Sequence, residues 1–139
     1  MRVIGVGNPW RRDDAAGLVA AKKLGGRELE DVAALVEALG EAEQAEVVDA
    51  VSSGAEPGTI HRFEAASEPL PERLFAASTH VLGVGEAVEL ARALGKLPAR
   101  LSVYGIEGAD FSAGEGLSPV VEQAVETVVA EVKACTKRC

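Results

Sequence analysis

The sequence predicts an α/β fold, a three-layer sandwich whose mixed, mostly parallel sheet is flanked by helices. Three observations predict it. Short apolar, β-branched runs alternate with longer stretches of helical periodicity, the order expected of strands crossed by helices. Glycine, proline and asparagine mark most boundaries between them. The chain has 139 residues, 47% apolar and 26% charged, a balance that fits one domain over residues 1–139 with a single core. A core of that size needs no disulfide or structural metal to hold it.

Each element has its own signal. Val3–Val6 is a buried strand ended by Gly7, and Asn8-Pro9 turns the chain. Asp13 then stands before an alanine-rich helix that runs to Leu24, where Gly25-Gly26 stop it. Leu29, Val32, Ala33, Val36 and Leu39 recur at helical spacing and predict a second amphipathic helix. Ala45–Val51 is a buried strand interrupted by Asp49, and Ser52 to Gly58 is a polar loop. Thr59–Phe63 alternates like a strand. The loop before it is too short for a parallel crossover of about a dozen residues, so this strand and its predecessor are expected to pair antiparallel. Glu64 to Ser78 is a long connection with Pro69 and Pro71. Val81–Leu94 is a helix, Leu101–Ile106 a strand, and Gly108 to Gly116 a loop. Ser118 is the N-cap and Pro119 the first residue of a last helix that ends near Ala134.

Charge and cysteine narrow the function classes. The chain carries 14 basic and 22 acidic residues, a formal charge of −8. It shows no basic stripe for nucleic acid, and its charge disfavours an anionic membrane. No apolar run approaches the roughly 20 residues of a membrane span, and the opening MRVIGVG is not a signal peptide. Cys135 and Cys139 lie near the end; a bridge between them would staple no core. Two free thiols on a frayed tail in the reducing cytoplasm is the expectation, and size and charge permit a soluble monomer.

In open α/β sheets, sites form outside the carboxyl ends of the parallel strands. That rule points to the loop after Val6, the end of Val47–Val51 and the loop after Ile106. The first loop follows GVG, but Arg11 and Arg12 fill the place of a third glycine, and paired acids would repel a pyrophosphate. Asp13 and Asp14 sit at a helix start, where one carboxylate caps exposed N–H groups. Adjacent helical side chains diverge by about 100°, so the other is free for a different task. Asp49 stands in a strand predicted to be buried on both faces, where an unpaired carboxylate costs several kcal/mol; it faces the crevice or holds backbone amides. His61 reads as a surface residue of an edge strand. His80 opens a helix whose N-terminus lowers its proton affinity and leaves it neutral to coordinate. Asp14, Asp49 and His80 thus come from three segments on one predicted edge, a donor set that suits nickel or zinc. Ser52 and Ser53 lack a nucleophile-elbow context. Trp10 either folds onto the sheet edge or anchors a partner, since tryptophan and arginine are favoured at hot spots.

These segments resemble the hydrogenase maturation endopeptidases. GVGNPWRRDDAAG from Gly5 to Gly17 resembles their opening motif, and VDAVSSGAEPGT from Val48 to Thr59 their second. STHVLGVGEAVELA from Ser78 to Ala91 resembles their third; VYGIE from Val103 and GLSPVVE from Gly116 are similar to their closing segments. The resemblance implies a mixed five-stranded sheet of phosphorylase/hydrolase-like fold. It implies removal of a C-terminal peptide from the large-subunit precursor of a nickel–iron hydrogenase once nickel is installed. The family's acid, aspartate and histidine fall on Asp14, Asp49 and His80, which would read nickel held in the precursor. No permanently bound cofactor is expected, and either an acidic residue or a metal-bound water would serve as base. One departure is visible. The interval LGGRELEDVAALVEALG from Leu24 lacks the family's glycine–threonine pair after Asp31, and one strand there is missing or reduced. A non-cleaving relative that binds a divalent metal or the precursor is the alternative; a dinucleotide binder is a weaker third.

Overall fold

The structure is a computed structural model and describes residues 2–71 and 83–138. Its elements are β1 (Arg2–Val6), a 3₁₀ turn (Arg12–Ala15), α1 (Ala16–Lys23), β2 (Arg27–Leu29), α2 (Ala33–Gly40), β3 (Gln44–Val51), β4 (Ile60–Glu64), α3 (Val84–Ala93), β5 (Arg100–Glu107) and α4 (Pro119–Arg138). The five strands form one sheet in the order β2-β1-β3-β5-β4. β1 pairs in parallel with β2 and β3, β3 in parallel with β5, and β4 is antiparallel to β5. The predicted three-layer α/β sandwich with a mixed, mostly parallel sheet is the fold observed.

Alternation along the strands divides the core. Ile4, Val6, Val47, Val51, Leu101 and Val103 point to one face, where α2 and α3 cover them through Leu35, Leu39, Val84 and Val88. Val48, Ala50, Tyr104 and Ile106 point to the other, under Ala16 and Ala20 of α1 and Val121, Val125 and Val128 of α4. Fully burying a side chain such as Leu35 or Val88 contributes about 1.5–3 kcal/mol. The glycines of the first motif belong to this packing. A Cβ on Gly17 would collide with the carbonyls of Val48 and Val6, and one on Gly5 with the carbonyl of Gly17. They let α1 lie directly on β1 and β3, which explains the glycine pattern without a nucleotide. At the end of α1, Gly25 takes φ +69°, and the Gly26 N–H donates to the Ala21 carbonyl at 2.7 Å.

Three expectations need correction. Leu29 lies not on a helix but on β2, and α2 begins only at Ala33. That short β2, three residues long, is the strand expected to be missing or reduced, and this expectation stands. β4 pairs with β5, which lies between it and β3, so the antiparallel partner is β5. The short β3–β4 loop reverses the chain across one intervening strand. The last helix continues past Ala134 to Arg138, so half-buried Cys135 sits on a formed helix. Cys139, like the first part of the predicted Val81–Leu94 helix, lies outside the described residues.

Candidate functional site

The parallel strands β1, β3 and β5 end together at Val6, Val51 and Glu107. α3 returns the chain to the start of β5, so it runs opposite to β5 and its N-terminus lies at this carboxyl edge. Buried polar groups collect here. Among the described residues, Asp13, Asp14, Asp49 and Glu107 are all buried.

The two neighbouring acids have different work. Asp13 makes no cap bond to its own helix. Its Oδ2 accepts the N–H groups of Ala109 at 2.8 Å and Asp110 at 2.9 Å, and the Ser118 hydroxyl at 2.8 Å. Its Oδ1 accepts the Ser118 N–H at 2.7 Å. Asp13 therefore ties the β1–α1 turn to the loop after β5 and to the start of α4. Ser118 holds the N-cap position, but its hydroxyl is given to Asp13. The Ser118 carbonyl accepts from Val121 and Glu122 as the helix begins.

Asp14 occupies the same 3₁₀ turn and is 3% exposed; its N–H donates to the Arg11 carbonyl at 3.0 Å. Asp49 is 2% exposed near the end of β3, and its Oδ1 accepts the Ala50 N–H at 2.9 Å. Burial raises the proton affinity of Asp49 well above the ordinary carboxylate range, and the negative charge of Asp14 raises it further. The Ala50 N–H acts in the opposite direction. Two of the three predicted site residues are thus brought within electrostatic reach of each other. The third, His80, lies outside the described residues. Among the described residues, no three His, Cys, Asp or Glu side chains are grouped to hold an ion unaided.

A family model described as hydrogenase maturation protease matches residues 30–134. The chain belongs to the hydrogenase maturation protease family. Solved structures agree with its fold. The Escherichia coli hydrogenase maturating endopeptidase HybD is 24% identical, with 99% of this chain and 93% of that one covered and a TM-score of 0.77. An endopeptidase from Escherichia coli, solved in solution, is 26% identical over 99% and 93%, with a TM-score of 0.81. The [NiFe] hydrogenase maturation protease HybD from Thermococcus kodakarensis is 27% identical over 97% and 99%, with a TM-score of 0.74. No curated protein sequence matches the chain.

In this hydrogenase maturation protease family member, the edge holds a second group that the sequence did not single out. Glu107 accepts the Ser53 N–H at 2.8 Å on Oε2 and the Ser53 hydroxyl at 2.5 Å on Oε1. His61 Nε2 stands 3.3 Å from the same Oε1. His61 is on the edge strand, as expected, but its side chain is only 22% exposed and is engaged rather than idle. The register of β4 on β5, which creates this contact, has no local signature. Trp10 is 62% exposed, so it is displayed to solvent rather than folded onto the sheet. Its loop is strapped down: the Trp10 N–H donates to Asn8 Oδ1, and its carbonyl accepts from Gly114. No helix among the described residues is long and apolar enough to cross a membrane.

Proposed function

We propose that the chain is an endopeptidase that removes a C-terminal peptide from the nickel-loaded precursor of a nickel–iron hydrogenase large subunit. The observation that carries the reading is the buried pair Asp14 and Asp49 at the carboxyl edge, in the family's motif order. Two carboxylates that raise each other's cost of ionisation favour a divalent cation beside them. In this reading Asp14, Asp49 and His80 contact the nickel that the precursor brings. That ion supplies a Lewis acid for the scissile carbonyl. Asp13 contributes no ligand; it fixes the turn that carries Asp14. The unit is residues 1–139, acting in the cytoplasm as a monomer.

A second reading has its own support. β2 is only three residues long, and no glycine–threonine pair follows Asp31. A relative that grips the precursor or a metal without cutting would fit that reduction. Incubation with nickel-loaded large-subunit precursor, followed by intact-mass measurement, separates the two. The peptidase reading expects a single C-terminal truncation, abolished by Asp49→Asn and by His80→Ala. Stable precursor binding without any shortened product contradicts it and supports the second reading.

A further inference from the structure

Asp49 and His61 face each other across a glycine. Val47, Asp49 and Val51 share the face of β3 that looks toward α2 and α3, because Val47 and Val51 pack there. On β5 the same face carries Leu101, Val103, Gly105 and Glu107; on β4 it carries His61 and Phe63. The register sets Asp49 beside Gly105, and Gly105 beside His61. Gly105 is buried and has no side chain, so no side chain of β5 stands at that register position between Asp49 on one flank and His61 on the other. Two strand spacings put the flanking Cα atoms about 10 Å apart.

Glu107 is the next residue of that face along β5, and it orients the imidazole. The two N–H and O–H donors of Ser53 and His61 Nε2 all converge on its carboxylate, an acceptor-only group. In the tautomer whose Nε2–H donates to this carboxylate, Nδ1 keeps the lone pair. A base oriented by a buried carboxylate is the recurring arrangement for activating a nucleophile.

We propose that His61, positioned by Glu107, is the proton-transfer group for peptide hydrolysis at this edge; the proposal rests on the peptidase reading above. Water attacks the scissile carbonyl carbon and a C–O bond forms. His61 Nδ1 takes the proton that water gives up, and Glu107 offsets the charge of the imidazolium. The C–N bond then breaks with its electron pair going to nitrogen, and the imidazolium returns the proton to that nitrogen. Neutral imidazole is restored, and the products are a carboxylic acid and an amine. Water is the only co-reactant.

The test is single-turnover cleavage of the nickel-loaded large-subunit precursor by the unaltered enzyme, His61→Ala and His61→Gln. Both variants are expected to cut about 100-fold more slowly with unchanged precursor affinity. Added imidazole is expected to restore part of the rate to His61→Ala. His61→Gln can still donate to Glu107, so it guards against mere misfolding, and the thermal midpoints of both are read alongside. Wild-type rates in either variant overturn the proposal. So does a slow rate that imidazole does not rescue, or one accompanied by lost precursor binding. Failure of the unaltered enzyme to cut overturns the peptidase reading and this proposal together, whereas an indifferent His61 overturns only the latter.

Discussion

Asp13 joins three segments distant in sequence through four hydrogen bonds, all to groups inside or at the rim of the fold. Asp13→Ala leaves the Ala109, Asp110 and Ser118 donors without that acceptor and is expected to destabilise the protein by about 3 kcal/mol, read by chemical denaturation. Glu46 gives a prediction of opposite sign. It is buried on the other face of the sheet from Asp49, and its Oε2 has no hydrogen-bond partner among the described residues. Burial raises its pKa from the usual 4.5 to about 7; Glu64 adds to the shift, and Arg62, Ser102 and Cys135 oppose it. The folded state thus holds a proton that the unfolded chain releases. Stability from this group is full below pH 4.5 and is lost as the pH rises to about 7. Glu46→Gln is expected to gain about 3 kcal/mol relative to wild type on going from pH 4 to pH 8, measured as the difference in unfolding free energy. At this scale Asp49 was legible, because a lone acid in an apolar run demands an explanation. Glu46 stands in the same run and drew none, because its place near the strand's start resembles an exposed end. The division of labour between Asp13 and Asp14 depends on where the loop after β5 arrives, which no local pattern encodes.

Among the elements, α1 is the one whose position fixes the site. Its close approach to β1 and β3 keeps Asp14 at the end of the strand that carries Asp49. Gly17→Ala would drive a methyl group into the Val48 and Val6 carbonyls, so the helix must move away. A loss of about 3 kcal/mol and a lowered thermal midpoint are expected. A midpoint equal to wild type would show that the helix has slack. The long strands and helices were readable because each has enough residues to display its period. β2 was not: three residues, REL, show no alternation, and Leu29 also fits the helical spacing of the next element. The partner of β4 was hidden for another reason. A short loop dictates a reversal of direction, but the insertion of β5 between β3 and β4 is decided by residues that follow later in the chain.

Seen whole, the molecule is a sheet with a packed, apolar middle and a carboxyl edge where acids converge. The net charge of −8 keeps such a chain away from polyanions and suits a site for a cation. The fold class and family were legible because five segments fall in order along the chain. The Glu107–His61 contact was not, because it is a product of register. We propose that this edge reads a divalent metal through Asp14, Asp49 and His80. Calorimetric titration of Ni²⁺ into the wild type, Asp49→Asn and His80→Ala tests it most directly. Saturable binding by the wild type that disappears in both variants is the predicted result. Equal binding by all three proteins, or none by the wild type, would contradict it.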